Sequence, residues 1–150
     1  MIQKIVLPPE AVNYRGELVE TNLRKLITKH GENNQVLKAA EEFLELEEAL
    51  GSGESSHSDI FEEVVDSHIM IAQLCIILHT PIPRYKTRNG VESITLARMC
   101  IQHILKPGEV SREDLAEAVR AYGGVFVYPQ ADSQKFKDLA GVKIRRALDA

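Results

Sequence analysis

The stretch that decides the fold is residues 31–79, GENNQVLKAAEEFLELEEALGSGESSHSDIFEEVVDSHIMIAQLCIILH. It reads as two long helices joined by a linker rich in Gly and Ser at 51–56. The first helix is expected to be capped by Asn33 or Asn34 and to end near Leu50.

The second helix of the pair is expected to be capped by Ser58 or Asp59 and to reach about His79. More helices are predicted on either side, and Ser111 with Asp114 has the spacing of a reciprocal cap. Short strands complete the prediction of a mostly helical domain covering 1–150. The other predicted helices lie at about 17–30, 91–106, 111–123 and 133–150, and the strands at 2–7 and 125–128.

Composition restricts the class of protein. The chain has 150 residues, 44% hydrophobic and 27% charged, with a net charge of −4. An acidic balance argues against a nucleic-acid partner, which needs a basic surface. The residues around 69–78 are too few to span a membrane, and no secretory leader is visible. Cys75 and Cys100 form no disulfide or zinc pattern, so we expect a cytoplasmic protein.

Two acidic pairs lie on the two consecutive helices: Glu42 with Glu45, and Glu63 with Asp66. Residues three apart on a helix share a face, with Cβ atoms about 5–6 Å apart. If the helices pack antiparallel, four carboxylates can converge on one point. Oxygen donors of this kind suit a hard divalent cation.

The first helix alone favours a simpler interpretation. Its wheel is amphipathic, and Gln35, Lys38, Glu42 and Glu45 lie together outside the apolar arc, where charged residues mostly face water. Glu47 falls inside the arc and has no explanation from the pattern. The predicted apolar arc consists of Val36, Leu37, Ala40, Phe43 and Leu44.

The second helix changes this interpretation, because it is apolar on nearly every side and is therefore expected to be buried. Like charges about 4 Å apart repel by about 4 kcal/mol at an effective dielectric of 20, against a total stability of about 5–15 kcal/mol. Either Lys38 or the C-terminal basic residues neutralise Glu63 and Asp66, or a cation does. A bound cation would also explain why both helices carry two acidic residues three positions apart. One short chain offers few helices to cover this one, so a homodimer or higher homo-oligomer is expected.

The donor types narrow the choice of metal. His68 stands two residues after Asp66 and faces elsewhere, so the Glu-x-x-His pattern of di-iron bundles is absent. We interpret His68 as a core or interface residue. Carboxylate donors alone favour Mg²⁺ or Mn²⁺ over zinc or iron.

These residues resemble the all-α nucleoside triphosphate pyrophosphohydrolases, the MazG-like and dimeric dUTPase superfamily. The string Gly-x-x-x-Gln-x-x-Lys-x-x-Glu-Glu-x-x-Glu-Leu begins at Gly31, and Glu-x-x-Asp follows on the next helix at Glu63. The resemblance covers 31–79 and, more weakly, the last helix. The segment 81–129 is interpreted as a family-specific insertion.

The resemblance implies hydrolysis of a nucleotide substrate between its α- and β-phosphates, with Mg²⁺ as the cofactor. It implies metal ligands at Glu42, Glu45, Glu63 and Asp66, and a proton acceptor at Glu41 or Glu45. Substrate contacts are expected from the side chains at Gln35, Lys38, Lys143 and Arg146. Each of these cations also has a purely structural interpretation. Lys38 could instead form an ion pair with Glu42, and Lys143 and Arg146 could instead complement the dipole of the last helix.

Two other functions stay open. A phosphoribosyl-ATP diphosphatase would share the same architecture. A non-catalytic helical interaction or regulatory module could keep the bundle and a metal without turnover, and the unmatched segment 81–129 motivates this hypothesis. A panel of nucleotides separates the three.

Overall fold

The computed structural model describes residues 13–14, 17–80, 92–122 and 134–150. Within these ranges it contains six α-helices, which confirms the predicted all-α bundle, and two strands of two residues each that pair antiparallel. None of these helices is long and apolar enough to cross a membrane. The elements are β1 Asn13–Tyr14, β2 Glu17–Leu18, α1 Val19–His30, α2 Glu32–Gly51, α3 His57–Leu78, α4 Ser93–Leu105, α5 Arg112–Arg120 and α6 Gln134–Asp149.

The predicted strands at 2–7 and 125–128 lie outside the described residues. The segment 81–129 is described only over 92–122, where it forms α4 and α5. Both helices pack within the bundle, α4 along α2 and α5 against α3. This part of the predicted insertion therefore belongs to the core.

Helix α2 begins earlier than the sequence suggested, because Gly31 connects it directly to α1. Gly31 has φ 89°, a left-handed conformation that glycine adopts without steric cost. It is the N-cap of α2 and makes no side-chain capping bond. The Asn34 amide instead donates to the carbonyl of His30 at 2.8 Å. The prediction of Asn33 or Asn34 as the cap was wrong.

Helix α3 begins at a capping box. The Ser56 hydroxyl accepts from the backbone N–H of Asp59 at 3.1 Å, and the Asp59 carboxylate accepts from the backbone N–H of Ser56 at 3.2 Å. Ser58 and Asp59 are thus not the caps, and the helix starts before them. Ser111 and Asp114 form the same motif on α5, as predicted.

The two central helices, α2 and α3, form an antiparallel pair. Near one end the Gln35 amide donates to the Gln73 carbonyl oxygen at 2.6 Å, and nearer the other end the Ser67 hydroxyl donates to the carbonyl of Glu42 at 3.5 Å. The contacts run in opposite order along the two helices. Helix α6 packs against α1 and α3 and closes one side of this pair.

The chain itself covers α3. Every residue from Ile69 to Leu78 is buried, and α1, α2, α5 and α6 all pack against this helix. The expectation of an oligomer rested on the assumption that a single chain could not do this. That assumption was wrong, and self-association stays a prediction without this support.

The buried face of α2 differs from its predicted apolar arc. Leu37 and Leu44 are exposed, whereas Gln35 and Glu42 are buried against α3. The helix has therefore turned two polar side chains inward. This rotation brings Glu42 toward the acidic residues of α3.

Glu47, the exception on the predicted wheel, lies near a buried tyrosine. Tyr122 is buried, and its hydroxyl is 2.8 Å from the Ser93 hydroxyl. Burial and the Glu47 charge raise the pKa of Tyr122 to about 12, while the bond with Ser93 acts to lower it. Glu47 is half-buried between solvent and this core.

Candidate metal centre and adjoining pockets

The antiparallel pair of helices brings three of the four predicted metal ligands together. Glu42, Glu45 and Glu63 each offer one carboxylate oxygen, and these oxygens all lie within 4.8 Å of one another. Glu42 is buried, Glu63 is half-buried, and Glu45 is the most exposed of the three. The spacing that put Glu42 and Glu45 on one face thus meets a carboxylate from the neighbouring helix.

Two oxygens in this acidic group have no donor among the described residues. Glu42 Oε2 and Glu63 Oε2 are both buried and make no hydrogen bond within that part of the chain. A buried carboxylate oxygen without a donor costs free energy. Orphaned oxygens in an all-carboxylate set fit a hard divalent cation such as Mg²⁺.

The electrostatics of the group follow from this burial. Desolvation raises the pKa of Glu42 to about 7, and the charges of Asp66 and Glu45 add to the effect against the opposing pull of Lys38. Desolvation also raises the pKa of Glu63 to about 7, again with Asp66 and Glu45 contributing. A cation would relieve both causes at once.

Asp66 lies beside the three glutamates and is paired with a lysine from the last helix. Its Oδ1 atom is 2.9 Å from Lys143 Nζ, and the same ammonium is 3.3 Å from Glu62 Oε1. Burial acts to lower the pKa of Lys143, but the hydrogen bonds and charges of Asp66 and Glu62 outweigh it and raise the pKa. Asp66 therefore belongs to the acidic region although it is not part of the group of three.

Lys38 has a similar arrangement on α2. Its Nζ atom is 3.2 Å from Glu42 Oε1 and 3.4 Å from Glu41 Oε2. Burial acts to lower its pKa, and the Glu42 and Glu41 carboxylates together raise it. In part of the acidic region, therefore, lysines neutralise the carboxylates, as the alternative to a cation had predicted.

The lysines do not balance the charge of this region. The acidic region holds six carboxylates, because Glu41 and Glu62 also contact the two lysines, so its fully ionised side chains carry a formal charge of −4. One divalent cation would neutralise half of this charge. Lysine pairing and cation binding are therefore complementary explanations of the same cluster.

A pocket of about 430 Å³, the lysine-side pocket, opens next to the acidic group. Its lining combines polar and charged side chains with apolar ones, as is common for small-molecule sites. The polar lining consists of His30, Asn34, Gln35, Lys38, Glu42, Asp66, Gln73 and Lys143, and the apolar lining of Leu26, Ile69, Met70, Ile144 and Ala147.

Sequence reasoning missed Gln73 as a pocket residue. Its side chain is buried in the wall and accepts the hydrogen bond from Gln35 at 2.6 Å. The signal was a polar residue inside an otherwise apolar helix, two turns beyond Asp66 on nearly the same line. Two residues at the junction of α1 and α2, His30 and Asn34, carried no comparable signal.

A second pocket of about 350 Å³, the loop-side pocket, also adjoins the acidic group. Glu45 and Glu63 line this pocket, whereas Glu42 and Asp66 line the lysine-side pocket. The acidic region thus contributes to two pockets, of which the first is lined by two lysines and the second by none among its described residues. The remaining lining of the loop-side pocket is Glu48, Ala49, Ser52, Glu54, Ser55 and Asp59.

Three other predicted or considered residues lie away from the group. Glu41 is exposed and pairs with Lys38. Arg146 is exposed on α6 and lines neither pocket. His68 packs its ring edge-to-face on Phe136 with centroids 5.0 Å apart, as expected for a core residue.

Comparisons with known proteins give no relatives: no family model, no curated protein and no solved structure matches the chain. The resemblance to the pyrophosphohydrolases therefore stays a prediction from the motifs. What supports a function is the geometry of the acidic group and its two pockets.

Proposed function

We propose that this protein is an Mg²⁺-dependent nucleotide pyrophosphohydrolase, which hydrolyses a nucleoside triphosphate to a nucleoside monophosphate and pyrophosphate. The observation that carries the proposal is the meeting of Glu42, Glu45 and Glu63 beside a pocket lined by Lys38 and Lys143. Carboxylates suited to a divalent cation thus adjoin a pocket whose ammonium groups suit phosphate, and Glu42 belongs to both. Phosphate-anhydride hydrolysis uses positioned positive charge of this kind.

Glu42, Glu45 and Glu63 would hold the cation, with Asp66 next to them. When bound, the ion would polarise the phosphate and lower the pKa of a coordinated water. The lysine-side pocket would take the polyphosphate at Lys38 and Lys143 and the nucleoside against its apolar side chains. The buried Gln35–Gln73 amide pair offers hydrogen-bonding groups to a base or ribose there.

The reaction needs one proton acceptor. Water forms a bond to phosphorus, the bridging P–O bond breaks, pyrophosphate leaves, and a carboxylate takes the water's proton. Of the two predicted bases, Glu45 is the one we propose, because it is part of the acidic group. Glu41 is exposed on the surface and pairs with Lys38.

The test is a panel of nucleoside tri- and diphosphates, including phosphoribosyl-ATP, assayed with Mg²⁺ while pyrophosphate and orthophosphate are measured separately. We expect pyrophosphate release, and a loss of at least about 100-fold in Glu42→Gln or Glu63→Gln proteins that remain folded. Glu117→Gln is the matched control, because Glu117 is exposed on α5. Activity that survives both substitutions contradicts the proposal.

The same panel tests the other hypotheses. Turnover confined to phosphoribosyl-ATP identifies the diphosphatase alternative. Cation binding without hydrolysis of any nucleotide favours the non-catalytic module instead.

A further inference from the structure

Lys38 on α2 and Lys143 on α6 contact the carboxylates of the acidic region in the same way. Each ammonium contacts one inner carboxylate that lines the lysine-side pocket and one outer carboxylate on the surface. For Lys38 the inner partner is Glu42, 11% exposed in its side chain, and the outer partner is Glu41, 57% exposed. For Lys143 the pair is Asp66, 24% exposed, and Glu62, 52% exposed.

The inner carboxylates are in reach of two kinds of cation: the lysine that contacts each of them, and the proposed divalent ion beside them. Glu42 belongs to the group of three whose oxygens lie within 4.8 Å, and the charge of Asp66 acts on both Glu42 and Glu63. A divalent ion held by these groups repels an ammonium at the same oxygens. When the divalent cation binds an inner carboxylate, the outer carboxylate holds the lysine at the rim of the pocket.

We propose that Lys38 and Lys143 are exchangeable counterions: without a divalent cation they neutralise Glu42 and Asp66, and when the cation binds they turn into the pocket and form a site for a phosphate-type anion. This inference rests on the proposed metal site and adds an order of events to it. The cation binds first, and the anion site exists only afterwards. Binding of the two ligands is therefore positively coupled.

The lysine-side pocket supports this coupling by its position. Lys38, Lys143, Glu42 and Asp66 all line it, so each ammonium lies at the edge of the open volume next to the carboxylate that it contacts. An anion entering without the cation meets ammonium groups that are already paired, next to carboxylates that repel it. After the exchange it meets two released ammonium groups.

The test measures the acetylation rate of each lysine in the wild-type protein by mass spectrometry, with no additive, with Mg²⁺ alone, with inorganic phosphate alone and with both. We expect Mg²⁺ alone to accelerate acetylation of Lys38 and Lys143, because each ammonium then loses the contact with its inner carboxylate and becomes more accessible to the reagent. Phosphate should protect both lysines only when Mg²⁺ is present. Lys106, which is paired with the exposed Glu109 at 4.0 Å, serves as the reference.

Calorimetry with Mg²⁺ alone tests the proposed metal site separately from the exchange of the lysines. Absence of Mg²⁺ binding overturns the proposed function itself. If Mg²⁺ binds but leaves the rates of Lys38 and Lys143 unchanged relative to Lys106, or if phosphate protects equally without Mg²⁺, the exchange is overturned and the metal site stands. In the Glu63→Gln protein, where neither lysine has lost a partner, Mg²⁺ should no longer change the rates.

Discussion

Glu42 on α2 and Glu63 on α3 bring carboxylate oxygens within 4.8 Å of each other, and each keeps one buried oxygen without a hydrogen-bond donor in the described part of the chain. Burial and mutual repulsion both act against this arrangement. A fold optimised only for stability would separate or neutralise these groups. The arrangement is explained if the site is built for a cation, because ligand binding then recovers the lost stability.

Glu63→Gln should stabilise the cation-free protein. The substitution keeps the shape of the side chain but removes a charge that has no ion pair in the described ranges. We expect the free energy of unfolding to rise by about 1 kcal/mol, which raises Tm by about 2–4 °C. Thermal melts in chelator at a pH above the pKa of Glu63 measure this change. Glu117→Gln is the surface control, and a Glu63→Gln protein less stable than this control would contradict the prediction.

The stability of the cation-free protein should fall as pH rises toward neutrality. Glu42 and Glu63 have a pKa of about 7 in the folded chain, against an ordinary value of 4.5. Between these values the folded state binds more protons than the unfolded state, so the free energy of unfolding decreases with pH through this window. Stabilisation by Mg²⁺ should grow over the same range, because the ion binds ionised carboxylates.

Melting curves from about pH 5 to about pH 8, with chelator and with Mg²⁺, test this sign. The variant carrying both Glu42→Gln and Glu63→Gln lacks the two titrating groups, so the difference between its Tm and that of the wild type isolates them. A difference that stays constant across the window would show that these residues do not cause the pH dependence.

The helices and the acidic pairing could be predicted from the sequence because each rests on local signals. Periodicity and the Gly-rich linker located α2 and α3, and the i,i+3 spacing placed Glu42 with Glu45 on one face. The capping box at Ser111 was found for the same reason, since it needs only residues three apart. Capping by Gly31 was missed because it depends on a positive φ angle of the backbone, which no side-chain pattern indicates.

The rotation of α2 could not be predicted, because it is a tertiary property. The wheel favoured burial of Leu37 and Leu44, but the structure exposes both and buries Gln35 and Glu42. Gln35 is buried because Gln73 on α3 supplies its hydrogen-bond partner. The spacing of apolar residues within one helix does not show that a polar residue has a hydrogen-bond partner on another helix. The contribution of Lys143 likewise depends on where α6 docks.

A comparison of Ser56→Ala with Ser111→Ala separates an effect on stability from an effect on the metal site. Each removes the hydroxyl of a capping box and should lower the free energy of unfolding by about 1 kcal/mol. Only Ser56 precedes the turn that carries Asp59 and Glu63 into the loop-side pocket. We therefore expect weaker Mg²⁺ binding by calorimetry in Ser56→Ala and unchanged binding in Ser111→Ala. Equal Mg²⁺ affinities in the two variants would show that the α3 cap does not position Glu63.

Lys29 connects the end of α1 to the end of α6. Its Nζ atom donates to the carbonyl of Ala147 at 3.2 Å, to that of Leu148 at 3.1 Å, and also to that of Ala150. A cation at a helix C-terminus binds carbonyls that have no partner within the helix and complements the helix dipole. The last turn of α6 is therefore held by a residue distant in sequence, and Lys143 lies one turn before it.

Lys29→Met should lower the free energy of unfolding by about 1–2 kcal/mol and accelerate amide exchange in the last turn of α6. Fraying of this turn should also weaken the pairing of Lys143 with Asp66, so acetylation of Lys143 should become faster in the absence of any cation. Lys106→Met is the control, because its 4.0 Å pair with Glu109 is exposed and contributes about 0–1 kcal/mol. If the two variants melt at the same temperature and exchange alike, the contacts of Lys29 do not hold α6, and the position of Lys143 must depend on the packing of Phe136, Ala140 and Ile144 alone.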